Sequence, residues 1–243
     1  MKNLLTLFLV FFWIVFSQAQ TAEEIVDLYL ERSGGIQNLE KLQGTKMTAS
    51  IMAEENEIPL EIYNTKSGKQ ALIINLDGVR ITQFAFDGET MWTTDMQTGM
   101  AERGHKEVTG NIKLSANDFP NPFLNYNEKG YSLEYIGEEN IGRVKTHKIK
   151  LIQEPISING EQQKSVLIYY FDKKTFLPVS KSSEIIIDGK PQEINRSYLS
   201  DYKRVKNIIF PFTILESGQE IKIRNIELDP ETDSTIFTFP GNP

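Results

Sequence analysis

The chain has 243 residues, 26 Lys and Arg against 33 Asp and Glu, a formal net charge of −7, 40% apolar residues and no cysteine. The missing cysteine excludes disulfides, thiolate metal ligands, a cysteine nucleophile and a lipid-modified N-terminal cysteine. An acidic chain without a basic cluster is a poor partner for nucleic acid or for an anionic membrane surface.

Residues 1–19 read as a secretory signal peptide. Lys2 precedes an apolar run from Leu4 to Phe16, and Ser17-Gln18-Ala19 supplies small residues at the cleavage-critical positions. The run is short for a bilayer span and no second long apolar segment follows, so we expect a soluble, exported chain starting near Gln20, not an integral membrane protein. Residues 20–243 show no internal repeat and no low-complexity linker, and read as one domain.

Thr21-Ala-Glu-Glu24 fits a capping box, and Ile25, Leu28, Tyr29 and Arg32 follow at helical spacing until Gly34-Gly35. A shorter piece carries Ile36, Leu39 and Leu42 and ends at Gly44. After that the period changes to two, as half-buried strands require. Alternating runs cover 46–53, 58–62, 70–76, 79–86, 90–94, 131–136, 144–153 and 164–171, then 176–187, 192–202, 206–215 and 220–228. Asp77-Gly78, Asp87-Gly88, Asp188-Gly189 and Ser217-Gly218 can take the positive φ angles of tight hairpins, which predicts an antiparallel meander. Between His105 and Lys129 the alternation stops, Pro120 and Pro122 intervene, and Phe123 and Tyr126 suggest a short helix. About ten consecutive strands must curl to limit their exposed edges. The fold expected is mainly β with an α lid: an unclosed antiparallel β-barrel, or half-barrel, covered by the N-terminal helix and a central helical insertion.

Catalytic chemistry has little to work with. His105 and His147 are the only histidines; His147 shares a strand face with Ile149 and Leu151 and reads as a packed side chain, while His105 sits in a polar connection. Asp229-Pro-Glu231-Thr-Asp233-Ser234 opens like a calcium loop but lacks its sixth-position glycine and twelfth-position glutamate. The pairs Glu54-Glu55 and Glu138-Glu139 stand beside turns, where neighbours on a strand point to opposite faces. Asn195-Arg-Ser197 matches a glycosylation sequon in the middle of a strand. No nucleophile elbow, phosphate loop or dinucleotide fingerprint is present. The expectation is a protein that is not an enzyme and has no cofactor and no metal.

A two-residue turn at Asp87-Gly88 would place Phe84, Phe86 and Met91 on one face of a hairpin and Trp92, Thr90, Ala85 and Ile81 on the other. Both faces are apolar, so the hairpin is covered twice or lines an apolar hollow.

Taken in order, several motifs resemble the periplasmic lipoprotein-sorting carriers, LolA-like, and the related outer-membrane lipoprotein-sorting proteins. They are the helix running into a double glycine (Ala22 to Gly35), a strand beginning near Thr45, Asp87-Gly88-x-Thr90-x-Trp92 and Tyr126-x-x-Lys129-Gly130-Tyr131. Further along come Val144-Lys-Thr-His-Lys-Ile-Lys-Leu151, Tyr170-Phe-Asp172 and Asp233-Ser-Thr-Ile-Phe-Thr-Phe-Pro240. The resemblance implies an unclosed barrel with a helical lid over an apolar cavity, and a periplasmic monomer that shields lipid or lipoprotein acyl chains in transit toward the outer membrane, together with envelope transport components. Alternation gathers Met47, Ile51, Ile62, Leu72, Ile74, Phe84, Met91, Tyr198, Phe210 and Phe212 as the candidate ligand wall, with Trp92 near its rim. Adaptable methionines suit such a wall. The alternative is a non-catalytic envelope interaction module without a lipid ligand, using an outer face such as Glu220, Lys222 and Arg224.

Overall fold

The computed structural model describes residues 20–187 and 189–241; the expected signal peptide lies outside them. Helix α1 (Ala22–Ser33) starts on the expected capping box, with Thr21 Oγ1 accepting from the Glu24 amide at 3.2 Å and Glu24 accepting from the Thr21 amide at 3.1 Å. It stops at Gly34, φ 136°, where an added Cβ would stand 2.4 Å from the Asn207 carbonyl oxygen, so the glycine also permits close approach to a strand turn. Helix α2 (Ile36–Lys41) follows.

The rest of the described residues form chiefly one sheet of thirteen strands. They are β1 (Gly44–Ala53), β2 (Asn56–Thr65), β3 (Gln70–Leu76), β4 (Val79–Phe86), β5 (Met91–Thr94), β6 (Ala101–Arg103), β7 (Ser132–Ile141), β8 (Val144–Ile158), β9 (Glu161–Asp172), β10 (Pro178–Ile187), β11 (Lys190–Val205), β12 (Ile208–Glu216) and β13 (Gln219–Leu228). The spatial order is β6-β5-β4-β3-β2-β1-β13-β12-β11-β10-β9-β8-β7, every neighbour antiparallel. The sheet does not close, because β6 and β7 are its two edges, and the chain between them carries helix α3 (Lys106–Ala116). This is the half-barrel with an N-terminal helix and a central helical insertion.

The number of strands and the position of the inserted helix differ from those expected. The described residues form thirteen strands; twelve of them match the alternating runs, and the thirteenth, β6, is only three residues long and leaves no alternation to detect. The inserted helix lies at Lys106–Ala116 and not at Phe123–Tyr126. In the latter stretch Asn121 Oδ1 accepts from the Phe123 amide at 3.0 Å and Asn125 takes φ 53°, so the chain turns repeatedly instead of winding. Helix α3 escaped notice because Gly110 interrupts it and Ala116 is its one fully buried residue.

Three apolar clusters organise the sheet. Helix α1, α2 and the 123–131 connection pack Ile25, Val26, Leu30, Leu39 and Phe123 onto Ile149, Leu151, Tyr169 and Phe171 of β8 and β9. That cluster continues through Phe210 and Leu228 into a second on the same face, formed by Ala49, Leu60, Ile74, Phe212, Ile223 and Ile226. We call this the inner face. On the outer face of β2 to β6, the C-terminal segment lays a 3-10 turn (Ser234–Phe237) over Tyr63, Ala71, Ile73, Ala85 and Trp92.

Candidate functional site

Pairing across the strands assembles the floor of the inner face. Met47 stands opposite Ile62, Ile62 opposite Leu72 and Leu72 opposite Phe84, so one apolar row crosses β1, β2, β3 and β4. The next row is Ala49, Leu60, Ile74 and Ile81, and the one below it begins with Ile51 and Ile58. The middle row is closed, with Ala49 1% and Leu60 5% exposed. Met47, Ile62, Leu72, Phe84, Ile51, Ile58 and Phe210, which flank it, all stay partly open to solvent. Among the described residues, no helix covers this half as α1 covers the other.

The hairpin at the end of the floor differs from a two-residue turn. Asp87 Oδ1 accepts from the amides of Glu89 and Thr90, and the first strand pair is Phe86 with Met91. A register moved by two residues leaves the faces unchanged, so Phe84, Phe86 and Met91 do share one side and Trp92 and Ala85 the other. Ile81 changes side. The extra residue Gln83 bulges between Thr82 and Phe84, which brings Ile81 to the inner face opposite Ile74.

Of the wall residues expected from alternation, Met47, Ile51, Ile62, Leu72, Ile74, Phe84, Met91, Phe210 and Phe212 all lie on the inner face. Trp92 and Tyr198 do not. Trp92 is 4% exposed on the outer face, where its Nε1 donates to the Phe237 carbonyl at 3.0 Å and its ring meets Phe239 edge-on. Tyr198 pairs with Leu215 on the outer face and is 41% exposed. The reason is a bulge: Asn195, at φ 52°, and Arg196 lie opposite the single Ser182, which reverses the alternation between Ile194 and Tyr198. The sequon asparagine is thus a bulge residue.

Strand β13 supplies floor residues that the sequence reading left out, namely Ile221, Ile223, Ile226 and Leu228. Their signal was present in I-K-I-R-N-I-E-L but broken where Arg224 bulges between Ile223 and Asn225. Lys203 holds its ammonium 4.7 Å above the Phe212 ring, a cation at the margin of an apolar floor.

Most of the remaining polar candidates have structural partners. His147 is 4% exposed, stacked on Phe176, with Nδ1 3.5 Å from the Tyr135 hydroxyl and no hydrogen bond at Nε2 among the described residues. Burial pushes its pKa below the ordinary histidine value. His105 is exposed at the start of α3. Asp229 Oδ1 accepts from the Gln43 and Gly44 amides and Asp233 caps the 3-10 turn, so the acidic segment ties the C-terminus down. Glu138 and Glu139 diverge, the first to Lys173 and the second to Lys148 and Arg196. Among the described residues, no cluster of three or more His, Asp or Glu could hold a metal ion. No helix there is long and apolar enough to cross a membrane.

The architecture defined by this open sheet and its helices is the LolA-like fold. A LolA superfamily protein from Nitrosomonas europaea superposes with a TM-score of 0.54 at 14% identity, covering 90% of this chain and 98% of the other. A DUF1329 family protein from Desulfovibrio piger gives 0.54 at 13% identity, with the same 90% and 98% coverage. No protein-family model matches the sequence, and no curated protein matches it.

Proposed function

We propose that the protein is an exported carrier that holds the acyl chain of a lipid or lipoprotein on its inner face and moves it across the cell envelope toward the outer membrane. One observation carries this reading: the row Met47–Ile62–Leu72–Phe84 is wholly apolar, sits inside a curved sheet, and is left partly open. A soluble domain gains nothing from an open aliphatic floor unless something apolar covers it part of the time. Each acyl methylene laid on such a floor contributes about 0.8 kcal/mol before the cost of ordering the chain. The LolA-like fold supports the reading, which takes residues 1–19 as an export signal and residues 20–243 as one domain, acting as a monomer and without catalysis.

Organic extraction of the purified protein followed by mass spectrometry tests it, together with titration by a fluorescent fatty acid. Reproducible acyl lipid in the extract and saturable probe binding are expected. An empty protein that leaves the probe's emission unchanged would overturn the carrier and favour an envelope interaction module.

A further inference from the structure

A cavity of about 670 Å³ opens at the upper end of the inner face, between α2, the β2–β3 turn and the 117–131 connection. Phe119, Leu124 and the ring of Tyr131 make its apolar side; Lys66, Glu128 and Glu154 stand on its rim. Its place relative to the floor follows from strand geometry. Lys66 stands in the turn that follows β2 and reaches α2 through the Glu40 carbonyl, and the four residues that separate it from Ile62 span at most about 13 Å of extended chain. The cavity thus lies within about 13 Å of the Ile62 row, and Phe119, Leu124 and Tyr131 of its wall belong to the inner-face cluster under α1.

Its charges are arranged unevenly. The Lys129 ammonium is spent within the protein, on Asp118 at 3.3 Å and on the carbonyls of Pro122 and Asn117. Glu40 accepts from the Asn125 side-chain amide. Lys66 makes one ammonium contact, to the Glu40 carbonyl at 2.7 Å, so two of its three donors have no protein acceptor among the described residues. The carboxylates of Glu128 and Glu154 have neither an ion pair nor a hydrogen bond among the described residues. Among the described residues, one cation without an ion pair thus shares an apolar-walled cavity with two carboxylates without one.

We propose that this cavity receives the head group of the lipid cargo and selects a zwitterionic one, with Lys66 meeting a phosphate and Glu128 and Glu154 meeting an ammonium. The proposal rests on the carrier reading and adds the chemical class of the cargo. A purely anionic head would satisfy Lys66 but leave its remaining groups against two carboxylates, and a bare fatty acid would leave the carboxylates unmatched.

Isothermal titration calorimetry with lysophosphatidylethanolamine and lysophosphatidylglycerol of the same chain length, below their micelle concentrations, tests the selection. An acyl probe with an uncharged head is measured alongside. The expected result is a preference for the ethanolamine head of about fivefold, the size of one partly exposed ion pair. The double variant Glu128→Gln, Glu154→Gln should bring the two lipids to near equality. Lys66→Gln should weaken both phospholipids by a similar factor, since the phosphate is common to them. The affinity ratio is the readout, so a general loss of binding does not imitate it. Equal affinities in the unaltered protein, a preference for the glycerol head, or a preference that survives the double variant would each overturn the head-group assignment while leaving the carrier standing. Failure of the uncharged probe to bind would take down both.

Discussion

Leu72 and Tyr198 sit on strands whose sequences alternate equally well, yet one lies on the floor and the other looks outward. That difference separates binding from packing by substitution. Leu72→Gln should weaken a bound fatty acid by about tenfold, because one floor contact of roughly 1.4 kcal/mol is replaced by a hydrated amide. Tyr198→Ser should leave the affinity unchanged in the same displacement titration. Trp92 has a third role, joining the sheet to the C-terminal segment through its bond to the Phe237 carbonyl. Trp92→Phe keeps most of the ring contact but strands that buried carbonyl, and should cost about 1–3 kcal/mol in a urea unfolding measurement. His147 makes a pH prediction. Burial lowers its folded pKa, so below the ordinary histidine value of about 6.5 the unfolded chain takes up a proton that the folded chain resists. The destabilisation therefore sets in as pH falls through about 6.5 and grows toward the lower folded pKa. His147→Phe should flatten the fall in urea midpoint between about pH 7.5 and 5.5 relative to the unaltered protein.

At the scale of elements, the sequence was legible wherever the backbone stays regular. The capping box of α1, the double-glycine stop and the alternating runs of β1 to β3 can be read because local chemistry alone decides them. It became illegible at bulges. Gln83, Arg224 and the Asn195-Arg196 pair each insert extra backbone, and each moves the following side chains to the other face. Nothing in one strand's composition announces a bulge, because its cause is the curvature that the neighbouring strands impose. The open floor was recoverable despite this, since the Met47, Ile62 and Leu72 row precedes the Gln83 bulge and Phe84 lies just beyond it. The 106–116 helix was hidden for another reason: it is held chiefly by polar contacts, which leave no hydrophobic period. Deleting Gln83 gives a sharp test of the bulge argument. The deletion restores strict alternation with Ile81 and Phe84 two residues apart, so both stay on the inner face and the cost should be less than about 2 kcal/mol in urea unfolding; a larger loss would mean that the sheet's curve needs the bulge itself.

For the molecule as a whole, an open sheet must be held in its curve from outside and across its gap. Outside, Glu193 accepts from Lys148, Tyr170, Ser182 and Arg196, linking β8, β9, β10 and β11. Burial by itself would raise this carboxyl, but the donors overcome it and bring the pKa down to about 2. Its contribution to stability is thus present above the ordinary glutamate value and lost as pH falls toward about 2. Across the gap, α3 is fastened at both flanks. Glu107 accepts from the Ser157 hydroxyl and from the Asn159 and Gly160 amides, and Asn111 exchanges two hydrogen bonds with the Ser157 backbone at 2.7 and 2.9 Å. On the opposite side Lys113 reaches Glu89 at 2.8 Å in the β4–β5 turn. Since α3 buries only Ala116 completely, these polar contacts and not apolar packing set its position. The double variant Glu107→Ala, Asn111→Ala should therefore release the helix locally. Hydrogen exchange at the Asn159 and Gly160 amides should rise by at least about tenfold, while the global urea midpoint moves little, because the sheet's own ladders are untouched. An exchange rate unchanged by the double variant would mean that packing holds α3 after all, and that the gap between the sheet's edges is permanently bridged.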